Sequence, residues 1–318
     1  MRLLTRIIAG AVLAVLAYVA LGGVVVAAQG PLKMRGQMVD IGGGRRMHLV
    51  CEGPKGPGPT VLFEAGAFGF SADWGVVQEG AVALGLHACS YDRAGLGLSD
   101  PGPAPRDGLA VVSDLESLLK AAHEDGPFIV VGHSMAGIYL WLFANRNPDK
   151  IAGLVFVDAA TPTATESGAG ATFLKTFIRG SKLAALGASA GLYAPLQYTW
   201  FGDKIGLTPT ASAEKRRAFA SPRHNRNAAA EVVQWPAAAL QAKASGPLNP
   251  DWPVVVVLSG GRRPAGADSL RAAPANQSRH GDVEVVAGAG HATLLGQAHA
   301  DSVVKAIDFV RTSPAAKL

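Results

Sequence analysis

The sequence predicts an α/β protein with a mostly parallel sheet, preceded by an apolar helix outside the globular part. Three observations point there. Short apolar runs alternate with stretches of helical periodicity from residue 60 onwards, the pattern of a parallel sheet covered on both faces. The stretch "FIVVGHSMAGIYLWLFA" at 128–144 passes from buried strand to buried helix with a serine at the seam. The first thirty residues contain Arg2 and Arg6 and then 22 uncharged residues, Ile7 to Ala28.

That run would be about 33 Å long as a helix, close to the hydrocarbon thickness of a bilayer. Positive charges before it predict a cytoplasmic N-terminus. A retained anchor (residues 1–30) is expected, with a cleavable signal peptide as the alternative, since "VAA" precedes Gln29. Either reading exports the remainder.

"QMVDIGGGRRMHLVCEG" predicts a hairpin at 37–52, followed by a strand at 60–66. Asp73 is the expected N-cap of a helix reaching Leu84, and "HACSYD" at 87–92 is the next strand. A helix is expected over Gly108–His123, with Val112, Leu115, Leu118 and Leu119 on one stripe. Further strands fall at 128–131, 153–158, 254–259 and 283–287, eight in all, and a last helix at Ala300–Thr312. Between Asp158 and Val254 no buried strand is legible. An unstructured loop that long does not suit a compact domain, so a mostly helical insert is expected at 161–249, with the core formed by 36–160 and 250–314.

The chain is 49% hydrophobic and 17% charged, which excludes disorder. The basic runs "EKRR" (214–217), "SPRHNR" (221–226) and "GRR" (261–263) are not interleaved with aromatics, so they read as solvated faces and no nucleic-acid partner is expected. "IGGGRRMH" lacks the Lys-Ser/Thr of a phosphate loop. Neither Cys51 nor Cys89 is read as part of a zinc ligand spacing. No cofactor or metal is expected.

Gly132-His133-Ser134-Met135-Ala136-Gly137 is the signature of a sharp strand-to-helix turn that thrusts a hydroxyl out at the carboxyl edge of the sheet, beside free helix N–H groups. With "VLFEAGAFG", "YDRAGLGLSD", "LVFVDAATP" and "GAGHATLL", it makes residues 36–312 resemble the serine α/β-hydrolases, the esterase- and peptidase-like branch with a helical lid. One departure is Ala136 where Gly-x-Ser-x-Gly has its last glycine.

The resemblance implies an eight-stranded, mostly parallel hydrolase sheet with helices on both faces and a helical lid inserted after strand 6. It makes Ser134 the nucleophile and His291 the base, and it leaves Asp158 and Asp268 as alternative acids. It places the oxyanion hole at the amides of Ala67 and Met135, with Gly66, Phe68, Phe70 and His133 about the substrate pocket, although His133 should point away from the serine. Asp92 and Arg93 are expected to brace their loop by an ion pair. Cys51 and Cys89 would lie on neighbouring strands within disulfide reach. The implied activity is hydrolysis of a carboxylic ester or related small acyl substrate through an acyl-enzyme; the rival is a catalytically silent hydrolase fold that binds at the cell envelope. Relatives acting on haloalkanes or epoxides use an aspartate nucleophile, against which Ser134 argues. Oligomeric state is not legible.

Overall fold

The computed structural model describes residues 1–30, 35–166, 168–261 and 266–316; Arg262 and Arg263 of the "GRR" run lie outside them. Eight strands form one sheet: β1 (Gln37–Asp40), β2 (Arg46–Glu52), β3 (Thr60–Glu64), β4 (Ala88–Tyr91), β5 (Phe128–His133), β6 (Ile151–Val157), β7 (Pro253–Ser259) and β8 (His280–Val286). Their spatial order is β1-β2-β4-β3-β5-β6-β7-β8. Only the β1–β2 and β2–β4 pairs are antiparallel; the remaining pairs are parallel.

Alternate residues of the central strands feed two separate cores, the period-two consequence of the pleat. Leu62, Val130, Phe156 and Val256 face one side, with Leu115 and Ile138. Those two come from α3 (Gly108–Ala121) and α4 (Ala136–Arg146). Val61, Phe63, Val131 and Val255 face the other, with Val77 and Ile307. Those belong to α2 (Gly75–Ala83) and α10 (Ala300–Thr312). Both faces are apolar, so these strands read as unbroken hydrophobic runs.

Between β6 and β7 stand α5 (Gly168–Ser189), α6 (Pro209–Ala220), α7 (Pro222–Val233) and α8 (Trp235–Ala244), a helical insert after the sixth strand. Ahead of the sheet, α1 (Arg2–Ala27) has a mean hydropathy of 2.4 and is almost wholly exposed. It is the one described helix long and apolar enough to cross a membrane.

One local expectation is corrected. Asp73 is not an N-cap: it lies in a 3-10 turn, Ser71–Trp74, ahead of α2. There its carboxylate is buried and pairs with Lys215 at 2.8 Å. A helix, α9 (Ala267–Gln277), occupies a stretch that shows no helical stripe in sequence, because Pro274 interrupts it and Leu270 is its one large apolar side chain.

Cys51 and Cys89 stand directly opposite each other on β2 and β4, and their sulfurs are bonded at 2.07 Å. His87 and Glu124 stand beside them, the four potential ligand atoms lying within 4.8 Å of one another. His87, two positions before Cys89, corrects the expectation from spacing, but both sulfurs are committed to the disulfide. The bond closes a loop with a sequence separation of 38, which in the chain-entropy picture stabilises the fold by about 4 kcal/mol. Cys51→Ser with Cys89→Ser should therefore shift the urea midpoint well downward; an unchanged midpoint would show that the bond adds nothing to stability.

Candidate active site

Ser134 occupies the turn between β5 and α4 with φ +59°, a left-handed conformation unfavourable for any side chain but glycine. The surroundings over-determine it. Its N–H donates to the Val157 carbonyl at 3.1 Å, and its carbonyl accepts from Ala160 at 2.8 Å and Gly137 at 3.2 Å. The turn is thereby stitched to the exit of β6. A methyl on Gly132 would lie 2.4 Å from Leu140 Cδ1, and one on Gly137 2.3 Å from the Ala160 carbonyl oxygen. The close approach thus falls at Gly137, and Ala136, fully buried, accommodates its methyl.

Asp158 follows β6 directly, also with positive φ (+45°), and its N–H is held by the Val257 carbonyl at 2.7 Å. Its Oδ2 accepts from Ser259 Oγ at 3.1 Å and lies 2.6 Å from His291 Nδ1. His291 Nε2 in turn lies 2.9 Å from Ser134 Oγ. A carboxylate can only accept, so Nδ1 carries a proton, and in the neutral imidazole Nε2 presents its lone pair to the serine hydroxyl. The three side chains, drawn from the ends of β5, β6 and β8, form one continuous chain of hydrogen bonds. Asp158 is buried while the His291 side chain is half exposed. Asp268, the other candidate acid, lies in the first turn of α9 and is exposed.

His133 Nε2 donates to the His291 carbonyl at 2.9 Å, and the two rings stand 4.4 Å apart. It supports the loop that carries His291.

Gly66 passes against the serine, where an added methyl would be 2.9 Å from Ser134 Cβ. Arg93 turns the neighbouring peptides, donating to the carbonyls of Ala65 and, at 2.9 Å, Gly66. Because a trans peptide points its N–H opposite its C=O, the Ala67 N–H faces away from Arg93. Among the described residues no protein acceptor takes the N–H of Ala67 or of Met135. Phe68, at φ +58°, offers its carbonyl to Lys215 Nζ at 3.1 Å and His224 Nε2 at 3.2 Å. Phe70 is buried against the His224 ring. It lines a cavity of about 340 Å³ with His48, Asp92, Leu98 and Glu214, and neither Ser134 nor His291 is in that lining.

Asp92 and Arg93 do not pair with each other. Asp92 takes His48 Nδ1 at 3.0 Å and the amides of Ser71 and Leu98. Arg93 bridges Glu64 at 2.6 Å and Glu231 at 2.9 Å, all three almost fully buried. Burial opposes the guanidinium charge, and the two carboxylates more than offset it, raising its pKa well above the ordinary value. Glu231, Lys215 and His224 all come from the insert and were not singled out for the site from sequence. The one available signal was a lone charge inside the apolar run "AAAEVV" of α7.

Residues 59–297 match the family model described as alpha/beta hydrolase fold. YqjL of Bacillus subtilis, an uncharacterized protein, is 37% identical over 103 residues, which are 32% of this chain and 40% of that one. The chain spans less than half the length of the curated relatives it matches. Among solved structures, the Cif epoxide hydrolase of Acinetobacter nosocomialis superposes with a TM-score of 0.65 at 19% identity, over 86% of this chain and 87% of that one. A thermophilic esterase of Thermogutta terrifontis gives 0.61 at 18%, over 88% and 100%. At such identities the likeness is one of fold.

The buried histidines make stability depend on pH. Burial, helped by the neighbouring His291 for His133 and by the Lys215 charge for His224, pushes each down to about 3. Unfolded histidines titrate near 6.5, so below that pH the unfolded chain binds protons that the native form refuses. Each costs about 2 kcal/mol of stability between pH 7.5 and pH 5. His48 works in the opposite sense: burial opposes its charge, but the Asp92 hydrogen bond prevails and raises its pKa. In urea unfolding across that range, His224→Gln should flatten the loss seen for the wild type. An identical slope would show that His224 takes up its proton in the native state as readily as in the unfolded chain.

Proposed function

We propose, on the premise that this chain belongs to the alpha/beta hydrolase fold family, that it is a serine hydrolase of carboxylic esters or related acyl compounds. The reading rests on one observation above all, the continuous Ser134–His291–Asp158 hydrogen-bond chain. In this reading His291 Nε2 takes the hydroxyl proton as Ser134 Oγ bonds to the acyl carbon. Asp158 holds the imidazole in its tautomer and stabilises the imidazolium that forms. The amides of Ala67 and Met135 receive the oxyanion. Collapse expels the alcohol, which takes the proton from His291. Water, activated by the same nitrogen, then cleaves the acyl-enzyme and restores Ser134.

The chemistry of the nucleophile favours this reading over that of the epoxide hydrolase of like fold. A hydroxyl that opened an epoxide or displaced a halide would be left as an ether, which an imidazole-activated water does not cleave. An acyl ester on the same oxygen turns over. The insert at 161–249 serves as a lid in this reading, since Lys215, His224 and Glu231 already bind it to the loops that flank Ser134. Helix α1, with Arg2 and Arg6 before its apolar run, anchors the chain in a membrane and holds the hydrolase domain outside the cytoplasm.

A fluorophosphonate probe should label the wild type and not Ser134→Ala. Asp158→Asn, which leaves the imidazole in the wrong tautomer, should lower kcat for p-nitrophenyl esters by about 10⁴-fold, while Asp268→Asn should leave it unchanged. Absence of labelling in the folded wild type would instead favour a silent binding protein.

A further inference from the structure

The C-terminal half of α1 does not stand free. Tyr18 donates its hydroxyl to the Leu192 carbonyl at 3.0 Å, and Gln29 Nε2 donates to Gln197 Oε1 at 2.6 Å. Gly22 is the contact point: a methyl there would lie 3.1 Å from both Ala194 and Pro195. Gly22 lies five residues before Ala27, about 8 Å along the helix axis, and Tyr18 about 14 Å. The outer half of a hydrocarbon layer is about 15 Å deep. If α1 spans a bilayer, the stretch packed beside Gly22 lies inside the outer leaflet with it.

The surface around that stretch suits such a place. Tyr198, Trp200 and Phe201 are 62%, 66% and 49% exposed, and on α5 Leu183 and Leu186 are 67% and 66% exposed. Residues 168–204 carry Lys175, Arg179, Lys182 and Lys204 against one acidic residue, Asp203, whose carboxylate accepts from the amides of Ile205, Gly206 and Leu207. Lys204 Nζ lies 4.8 Å from the centre of the Trp200 ring. Exposed leucines and aromatics among side chains that are cationic in excess describe an interfacial segment, with tryptophan and tyrosine at the headgroup level and lysines reaching for anionic lipid.

We infer that residues 183–201 of the insert are immersed, together with α1, in the outer leaflet of an anionic phospholipid membrane. The domain then lies on the bilayer through its insert as well as being tethered to it. This rests on the reading of α1 as a retained span, and it is independent of the chemistry at Ser134.

Trp200 provides the test, because Trp74, Trp141, Trp235 and Trp252 are all at most 9% exposed. The full chain is reconstituted into phosphatidylcholine–phosphatidylglycerol vesicles whose acyl chains are brominated, and vesicle flotation is followed alongside tryptophan fluorescence. The wild type should float and show a quenched component that Trp200→Phe loses. Flotation without quenching, or quenching unchanged in Trp200→Phe, overturns the immersion while sparing the anchor. A chain that does not float overturns both. Fluorophosphonate labelling in the same vesicles reports on Ser134 separately.

Discussion

The site depends on the pair of backbone hydrogen bonds by which the Ser134 turn is tied to the exit of β6. Ser134 N–H to Val157 and Ala160 N–H to Ser134 bind two adjacent strand ends where both chains turn abruptly. Each end carries a residue with positive φ, Ser134 and Asp158. Such conformations are uphill by about 1–3 kcal/mol apiece and persist only where neighbours leave no alternative. The same bonds that hold the strain bring hydroxyl and carboxylate to the two nitrogens of one imidazole.

A second constraint lies beneath the loop at 65–70. Arg93, buried with Glu64 and Glu231, joins three parts of the chain: the end of β3, the loop after β4 and α7 of the insert. A buried charge is tolerated only when paired and hydrogen-bonded. The guanidinium satisfies that condition by also donating to Ala65 and Gly66. The orientation of the peptides beside Ser134 is therefore coupled to the seating of the insert. Lys215 and His224, both bonded to the Phe68 carbonyl, repeat the coupling one turn further along the loop. The insert is thus part of the framework of the site.

Much of this was legible in the sequence because it is local. The strands β3, β5, β6 and β7 are buried on both faces and appear as short apolar runs. The turn at Gly132–Gly137 declares itself through small residues on either side of a serine, and α1 through its uncharged length. Elements without a strong local period were harder to see. In α9 a proline interrupts the pattern, and Asp73 has the residue type of a cap but is drawn to Lys215, 142 positions away.

What the sequence by itself determined is the sheet, its order of motifs, the helical character of the insert and the identity of the serine and histidine as a candidate pair. Each is carried by periodicity or by a few adjacent residues. The tertiary structure decided which aspartate meets His291, that Arg93 turns to Glu64 and Glu231 and not to Asp92, and that His133 supports a loop. Those choices compare partners far apart in the chain, and only the burial and hydrogen-bond geometry of the folded state sets one carboxylate 2.6 Å from an imidazole and places the other in the first turn of α9.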